Sequence, residues 1–376
     1  MAEYLTNTAD LTAVANAIRE KGGTSEQLSC PDGFVSAIQA IQTGVPLQIA
    51  VATNAGATVT ATKGSKTVSG TADTSGHCTL TVDEAGTWTV TAATASTTKT
   101  SDVVVGISNV FLLSVDSVLN NNSWETIKKV SDAGQGENYW SIGDRKAVTL
   151  NGTVGHLSLS NVTIYAFIIG FNHNASVEGT NRIHFQFAKT ALSGGMDVAL
   201  CDNKYMSRPS VAGYFVMNAS KTNSGGWKSS QMRTNICGTS LSNYSGTIIA
   251  VIPAALRAVL KSVTKYTDNT ANEGGSTASY VTATTDYFFL LSEFEVFGSC
   301  RHANSNESSK QAQYAYYSAG NSKIKYKHNG TSGAAYWWLR SPDASTFYGF
   351  VQVAAEGYSD TSNALDSYGF APGFCV

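Results

Sequence analysis

The side chains able to do chemistry are few and badly spaced for it. His173 and His184 flank a polar loop and could hold a metal, yet neither an HxH pair nor a helical i,i+4 spacing joins them, so both read as structural histidines. The six cysteines, at 30, 78, 201, 237, 300 and 375, are too scattered for a disulfide framework and read as mostly reduced, buried thiols. No GxSxG elbow, glycine-rich phosphate loop or HExxH helix is present. No catalytic residue, metal or cofactor is expected, and the chain reads as a non-enzyme.

Contact chemistry is dense instead, and it sits in the last forty residues, about 336–376. This stretch opens on Tyr336, Trp337, Trp338, Arg340, Ser341 and Pro342, and it closes on APGFCV, apolar enough to be a terminal strand tied into a core. Between them Tyr, Ser, Asp, Thr and Asn predominate, residues that give rigid aromatic area and adaptable hydrogen bonds. The expected contacts in the first half are Trp338, Thr346, Phe347, Tyr348, Phe350 and Gln352. In the second half they are Tyr358, Asp360, Ser362, Asn363, Leu365, Asp366 and Tyr368. Alternation along Phe350-Val351-Gln352-Val353 predicts that the valines face inward while Phe350 and Gln352 face solvent. Trp337 and Trp338 fall on opposite faces of a strand, one in the core and the other flooring the surface. Arg340 either braces the loop through backbone carbonyls or touches ligand.

Composition narrows the partners. Only 14% of residues are charged and the formal net charge is -2, so the basic footprint of a nucleic-acid binder is missing. The start, MAEYLTNTAD, has neither a basic n-region nor an apolar h-region, and no apolar run reaches bilayer length. Synthesis in the cytoplasm without a signal peptide, and no membrane insertion, are the expectations.

Three regions must position the contact segment. In 1–45, Asp10 can cap a helix carrying Leu11, Val14, Ala15 and Ile18, and Asp32 a second one carrying Phe34, Ile38 and Ile41. So small a hairpin cannot make its own core and must associate with copies of itself or dock elsewhere. From 46 to 106 the runs QIAVAT, ATVTATK, TVSGTA, CTLTVD and TWTVTAA alternate between turn residues, predicting an immunoglobulin-like sandwich spacer with Trp88 at its centre. Residues 107–376 read as one mixed α/β domain. There Asn122 and Glu125 predict a capping box, Pro253 a helix through Leu256, Val259, Leu260 and Val263, and YFFLLSEFEVFG a buried strand.

The set YWSIGDRKAVTLNG, FIIGFNHN, RIHFQ, FFLLSEFEVFG and YWWLRSP with APGFCV resembles C-type-lectin-like domains, related to formylglycine-generating enzymes, of phages and prophages of gut Firmicutes. Its C-terminal part is similar to variable regions rewritten by diversity-generating retroelements, whose substitutions leave the residue palette seen from Asp343 to Tyr368. The two-helix start resembles a recurrent module of phage tail and fibre proteins. The resemblance implies an α+β multidomain chain: helical hairpin, all-β sandwich, lectin-like head. It also implies a phage receptor-binding protein in the virion, homotrimeric, joined to other tail proteins and adhering to a bacterial cell-surface protein or glycan. A structural tail or baseplate protein and a degenerate formylglycine-generating enzyme are the alternatives. The enzyme needs two neighbouring cysteines, whereas the nearest pair here, Cys201 and Cys237, lies far apart. The Glu-Pro-Asn, Gln-Pro-Asp and Trp-Asn-Asp motifs of calcium-dependent lectins do not occur.

Overall fold

The computed structural model describes residues 47–105, 110–112, 115–208, 214–271 and 275–376, together with Thr12, Ala15 and Asn16, which are helical. The expected N-terminal hairpin otherwise lies outside the described residues. The chain is rich in strands arranged in several sheets and divides into two compact units, 1–115 and 116–376.

In the first unit, threonine-rich alternation builds two sheets around one core. Lys66–Thr71, Thr58–Lys63, Gly86–Ala93 and Thr98–Val105 form a four-stranded antiparallel sheet in that order. His77–Val82, Leu47–Ala52 and Val110–Leu112 form a three-stranded one. A two-residue period sends Trp88, Val90 and Ala92 inward from one sheet to meet Ile49, Val51, Leu80 and Val82 from the other, while the intervening threonines point outward. Trp88 is fully buried, and its indole N–H is satisfied by the Glu84 carbonyl at 3.1 Å.

In the second unit the terminal run is structural, as the sequence predicts. Gly373–Cys375 is inserted between Phe288–Phe289 and Ile183–Lys189 in a five-stranded antiparallel sheet completed by Leu157–Phe171 and Arg145–Val154. Phe374 packs against Phe185 and Phe288 with centroids 5.2 Å apart in each case. Val376 exchanges backbone bonds of 3.0 and 3.1 Å with Ile183, so the last residue is hydrogen-bonded like any interior one.

Three local readings change. The helix Trp124–Asp132 is capped by Ser123, whose Oγ accepts from Thr126 N at 3.0 Å. Asn122 turns away to accept from Asp116 N at 3.0 Å, the local competition that short polar side chains set up. The helix after Pro253 spans only Ala254–Arg257, because Val263 already begins the strand Val263–Asp268 and the apolar spacing there crosses two elements. The run FFLLSEFEVFG is a two-residue strand followed by the helix Glu293–Phe297, since Ser292 and Glu295 form a complete capping box in its middle. Among the described residues no helix is long and apolar enough to cross a membrane.

Candidate functional site

The expected contact segment forms a three-stranded antiparallel sheet of Trp337–Pro342, Gly349–Val353 and Ser359–Asn363. Its register sets Trp338 opposite Gln352, Gln352 opposite Asp360 and Phe350 opposite Ser362, so these five share one face. Trp337, Val351, Val353, Ser359 and Thr361 share the other.

The alternation is as expected, but both faces are covered. Phe350 is fully buried and Gln352 is only 2% exposed, against the prediction that they face solvent. The cover is chain brought in from elsewhere: the Phe215 carbonyl accepts from Trp338 Nε1 at 3.1 Å and from Tyr368 N at 3.2 Å, and the Tyr368 ring lies 5.0 Å from that of Trp338. Trp338, Phe350, Gln352, Asp366 and Tyr368 therefore leave the exposed contact set and belong to the buried support. Both tryptophans of the pair are core residues. On the opposite face Glu293 holds the sheet, accepting from Ser359 Oγ and from the His302 and Ala303 amides at 2.9 and 2.8 Å.

Outward chemistry survives at the two ends of these strands. At one end Phe347 is 55% exposed and stands edge-on to half-buried Tyr348, over which the Lys221 ammonium sits at 4.7 Å. Its loop is fixed from below: the buried Asn223 amide donates to the carbonyls of Asp343, Thr346 and Gly349 at 3.1, 2.8 and 3.1 Å. The Asp343 carboxylate accepts from Ser345 and Thr346. At the other end Tyr358 is 50% exposed, in the neighbourhood of Tyr336. Tyr336 and Tyr205 both pack on Tyr368, at 5.4 and 6.3 Å, and the Tyr205 hydroxyl accepts from Tyr336 N at 2.9 Å. Thr346, Asp360, Ser362, Asn363 and Leu365 are half-exposed between the ends.

Sequence reasoning missed the loop Asp202–Arg208, which is sewn to the contact segment. Met206 N donates to the Ser367 carbonyl at 2.7 Å, Ser367 N to the Ser207 carbonyl at 2.9 Å, and the Asp202 carboxylate accepts from Lys204 N, Phe215 N and Ser367 Oγ. Arg208 Nε pairs with Asp366 at 2.9 Å, and Lys327 lies 4.3 Å over the Tyr205 ring. These residues sit far from 336–376 in sequence, and no local pattern announces the meeting.

Beneath the sheet lies a polar interior. Fully buried Arg340 donates to Glu295 with both terminal nitrogens, to the Leu290 carbonyl at 2.9 Å and to Thr267 Oγ1 at 2.8 Å, so it braces the strand from inside and touches no surface. Lys265 Nζ donates to Glu178, Glu295 and the Tyr314 hydroxyl at 2.7, 2.9 and 2.8 Å. Burial would push the Glu295 carboxyl up, but Arg340 and Lys265 outweigh it and hold the group well below the usual carboxylate range. Burial pushes Glu178 up to about 7 despite Lys265, and pushes His173 down to about 3, so that imidazole is neutral. The ligand atoms of His173, Glu178 and Glu295 lie within 4.8 Å of one another, but the Lys265 ammonium, hydrogen-bonded to both carboxylates of this cluster, already supplies the positive charge a metal would bring. Burial also pushes the Cys201, Cys300 and Cys375 thiols up to about 12, leaving none of them a thiolate nucleophile near neutral pH.

Residues 202–376, from the start of the sewn loop to the last residue, match the family described as Domain of unknown function (DUF6273). No curated protein and no solved structure matches the chain.

Proposed function

We propose that this chain is a phage receptor-binding protein. Its C-type-lectin-like head would display a diversified contact surface, an immunoglobulin-like sandwich would act as spacer, and the N-terminal helices would join it to its own copies and to other tail proteins. One observation carries the reading: the exposed aromatic positions lie in the loops at the ends of strands that are buried and hydrogen-bonded on both faces. Phe347 and Tyr358 are exposed, while Trp337–Pro342 and Gly349–Val353 are buried throughout. A surface meant to be rewritten has to be decoupled from folding in this way, because surface substitutions usually change stability by about half a kcal/mol and core ones by several. The contact set narrows to Thr346, Phe347, Tyr348, Tyr358, Asp360, Ser362, Asn363 and Leu365.

The reading is tested in the surrounding genome. A reverse transcriptase gene and a near-copy of the codons for 343–368 should lie nearby, with mismatches concentrated at the exposed positions and absent from the codons of Val351 and Val353. Mismatches spread evenly over buried and exposed codons would contradict it. Sedimentation of the full chain at tens of micromolar should give a trimer, and removal of residues 1–45 a monomer; a monomeric full chain would remove the assembly part of the proposal.

A further inference from the structure

We infer that a pocket in the 116–376 unit, whose lining shares no residue with the contact segment, binds a free aliphatic α-amino acid. Its volume is about 300 Å³, at the lower end for small-ligand cavities. Three pieces of chain meet there: 117–120 at the start of the unit, 143–145 where the strand Arg145–Val154 begins, and 192–194 in the loop that follows Ile183–Lys189.

The walls are fixed by bonds of their own. Gly143 N donates to the Ile168 carbonyl at 2.8 Å and Ile168 N to the Asp144 carbonyl at 2.9 Å, which ties this turn to the neighbouring strand. Ala147 N donates to Asn120 Oδ1 at 2.9 Å. Arg145 Nη1 donates to the carbonyls of Ala191 and Gly194, and Thr190 N to the Met196 carbonyl at 3.0 Å, so the loop is held against the strand at both its ends and its middle.

Two opposite charges are left for a ligand. Among the described residues neither Asp144 nor Arg145 forms an ion pair: the carboxylate accepts from Ser141 N at 2.9 Å through Oδ2, and the guanidinium spends Nη1 alone, leaving Nε and Nη2 free. Beside them stand Val118 and Leu192, 54% and 45% exposed, with buried Leu119. A zwitterion with an aliphatic side chain matches all of this: its carboxylate meets Arg145, its ammonium meets Asp144, and its side chain covers the apolar wall.

Other small ligands leave something unpaired. A simple carboxylic acid would cover Asp144 without a donor, an amine would cover Arg145 without an acceptor, and a phosphate would face the Asp144 carboxylate. Among the described residues no aromatic ring lines the pocket, so a sugar would have no face to stack on.

The test is ligand-observed saturation-transfer NMR on the purified full chain, titrated with leucine, with N-acetylleucine, which lacks the ammonium, and with leucinamide, which lacks the carboxylate. Leucine should bind with a Kd of about 1 mM or tighter, and each analogue at least tenfold more weakly, since a hydrogen bond to a charged group is worth roughly that factor. Asp144→Asn keeps an acceptor for Ser141 N; it should weaken leucine tenfold, leave N-acetylleucine unchanged, and keep the wild-type melting temperature. Equal binding of leucine and N-acetylleucine by the wild type, or undiminished leucine binding by Asp144→Asn, would overturn the inference. So would the absence of any transfer to leucine at ten times the expected Kd. The comparison of analogues on the wild type decides the matter even where the variant does not fold.

Discussion

Replacing Glu295 by Gln is expected to cost the 116–376 unit about 3–5 kcal/mol, a large share of the 5–15 kcal/mol that holds an ordinary domain together. Glu295 is the hub of the interior: it accepts from both Arg340 terminal nitrogens, from Lys265 Nζ, and from the Ser292 amide at 2.9 Å. The glutamine keeps the shape and the acceptor to Ser292 but removes the carboxylate paired with Arg340. A guanidinium and an ammonium then remain in a fully buried space with Glu178 and Glu307 to balance them, and burial pushes both of these carboxyls up to about 7. Urea denaturation followed by tryptophan fluorescence measures the loss. A change below 1 kcal/mol would mean that the network is hydrated and that the sheet above it is held by packing alone.

The second large effect has the opposite sign. Lys325 is fully buried, its Nζ has no hydrogen-bond partner, and it lies 5.5 and 5.0 Å from the centres of the Phe167 and Trp337 rings. Burial pushes its amine down from 10.5 to about 8. Since the folded chain gives up this proton more readily than the unfolded one, the penalty is complete below pH 8, shrinks as pH rises from 8, and is gone above 10.5. At 1.36 kcal/mol per pH unit the full penalty is about 3 kcal/mol. Lys325→Met, which keeps the length and loses the charge, should stabilise the unit by up to that amount at pH 7. The gap between variant and wild type should close between pH 8 and 10.5. A variant less stable at every pH would show that the two ring contacts outweigh desolvation.

Periodicity and turn chemistry made much of the fold legible. The strands of the first unit, the buried Trp88 and the terminal strand through Phe374 follow from alternation and apolar runs, because each is decided by its own neighbours in sequence. Alternation also named the two faces of Gly349–Val353 correctly, yet it could not say that both would be covered. Phe350 and Gln352 are buried, and Phe215 and Tyr368 meet Trp338 on the face they share; a covering chain segment leaves no trace in the pattern of the strand it covers. The same holds for Asn223, which fixes the Phe347 loop from more than a hundred residues away, and for Met206. For Arg340 the sequence left bracing and ligand contact open, because its partners Glu295 and Thr267 come from other elements.

The central claim is that exposed contacts ride on a scaffold that does not depend on them. The most direct measurement is one variant, Phe347→Ser with Tyr348→Ser and Tyr358→Ser, carried through a thermal melt and a cell-attachment assay. None of the three side chains is fully buried, so the melting temperature should stay within a few degrees of wild type. Aromatic hot spots cost about 2 kcal/mol or more each, roughly thirtyfold in affinity, so attachment should disappear. A variant that still attaches, or one whose 116–376 unit no longer folds, would contradict the account.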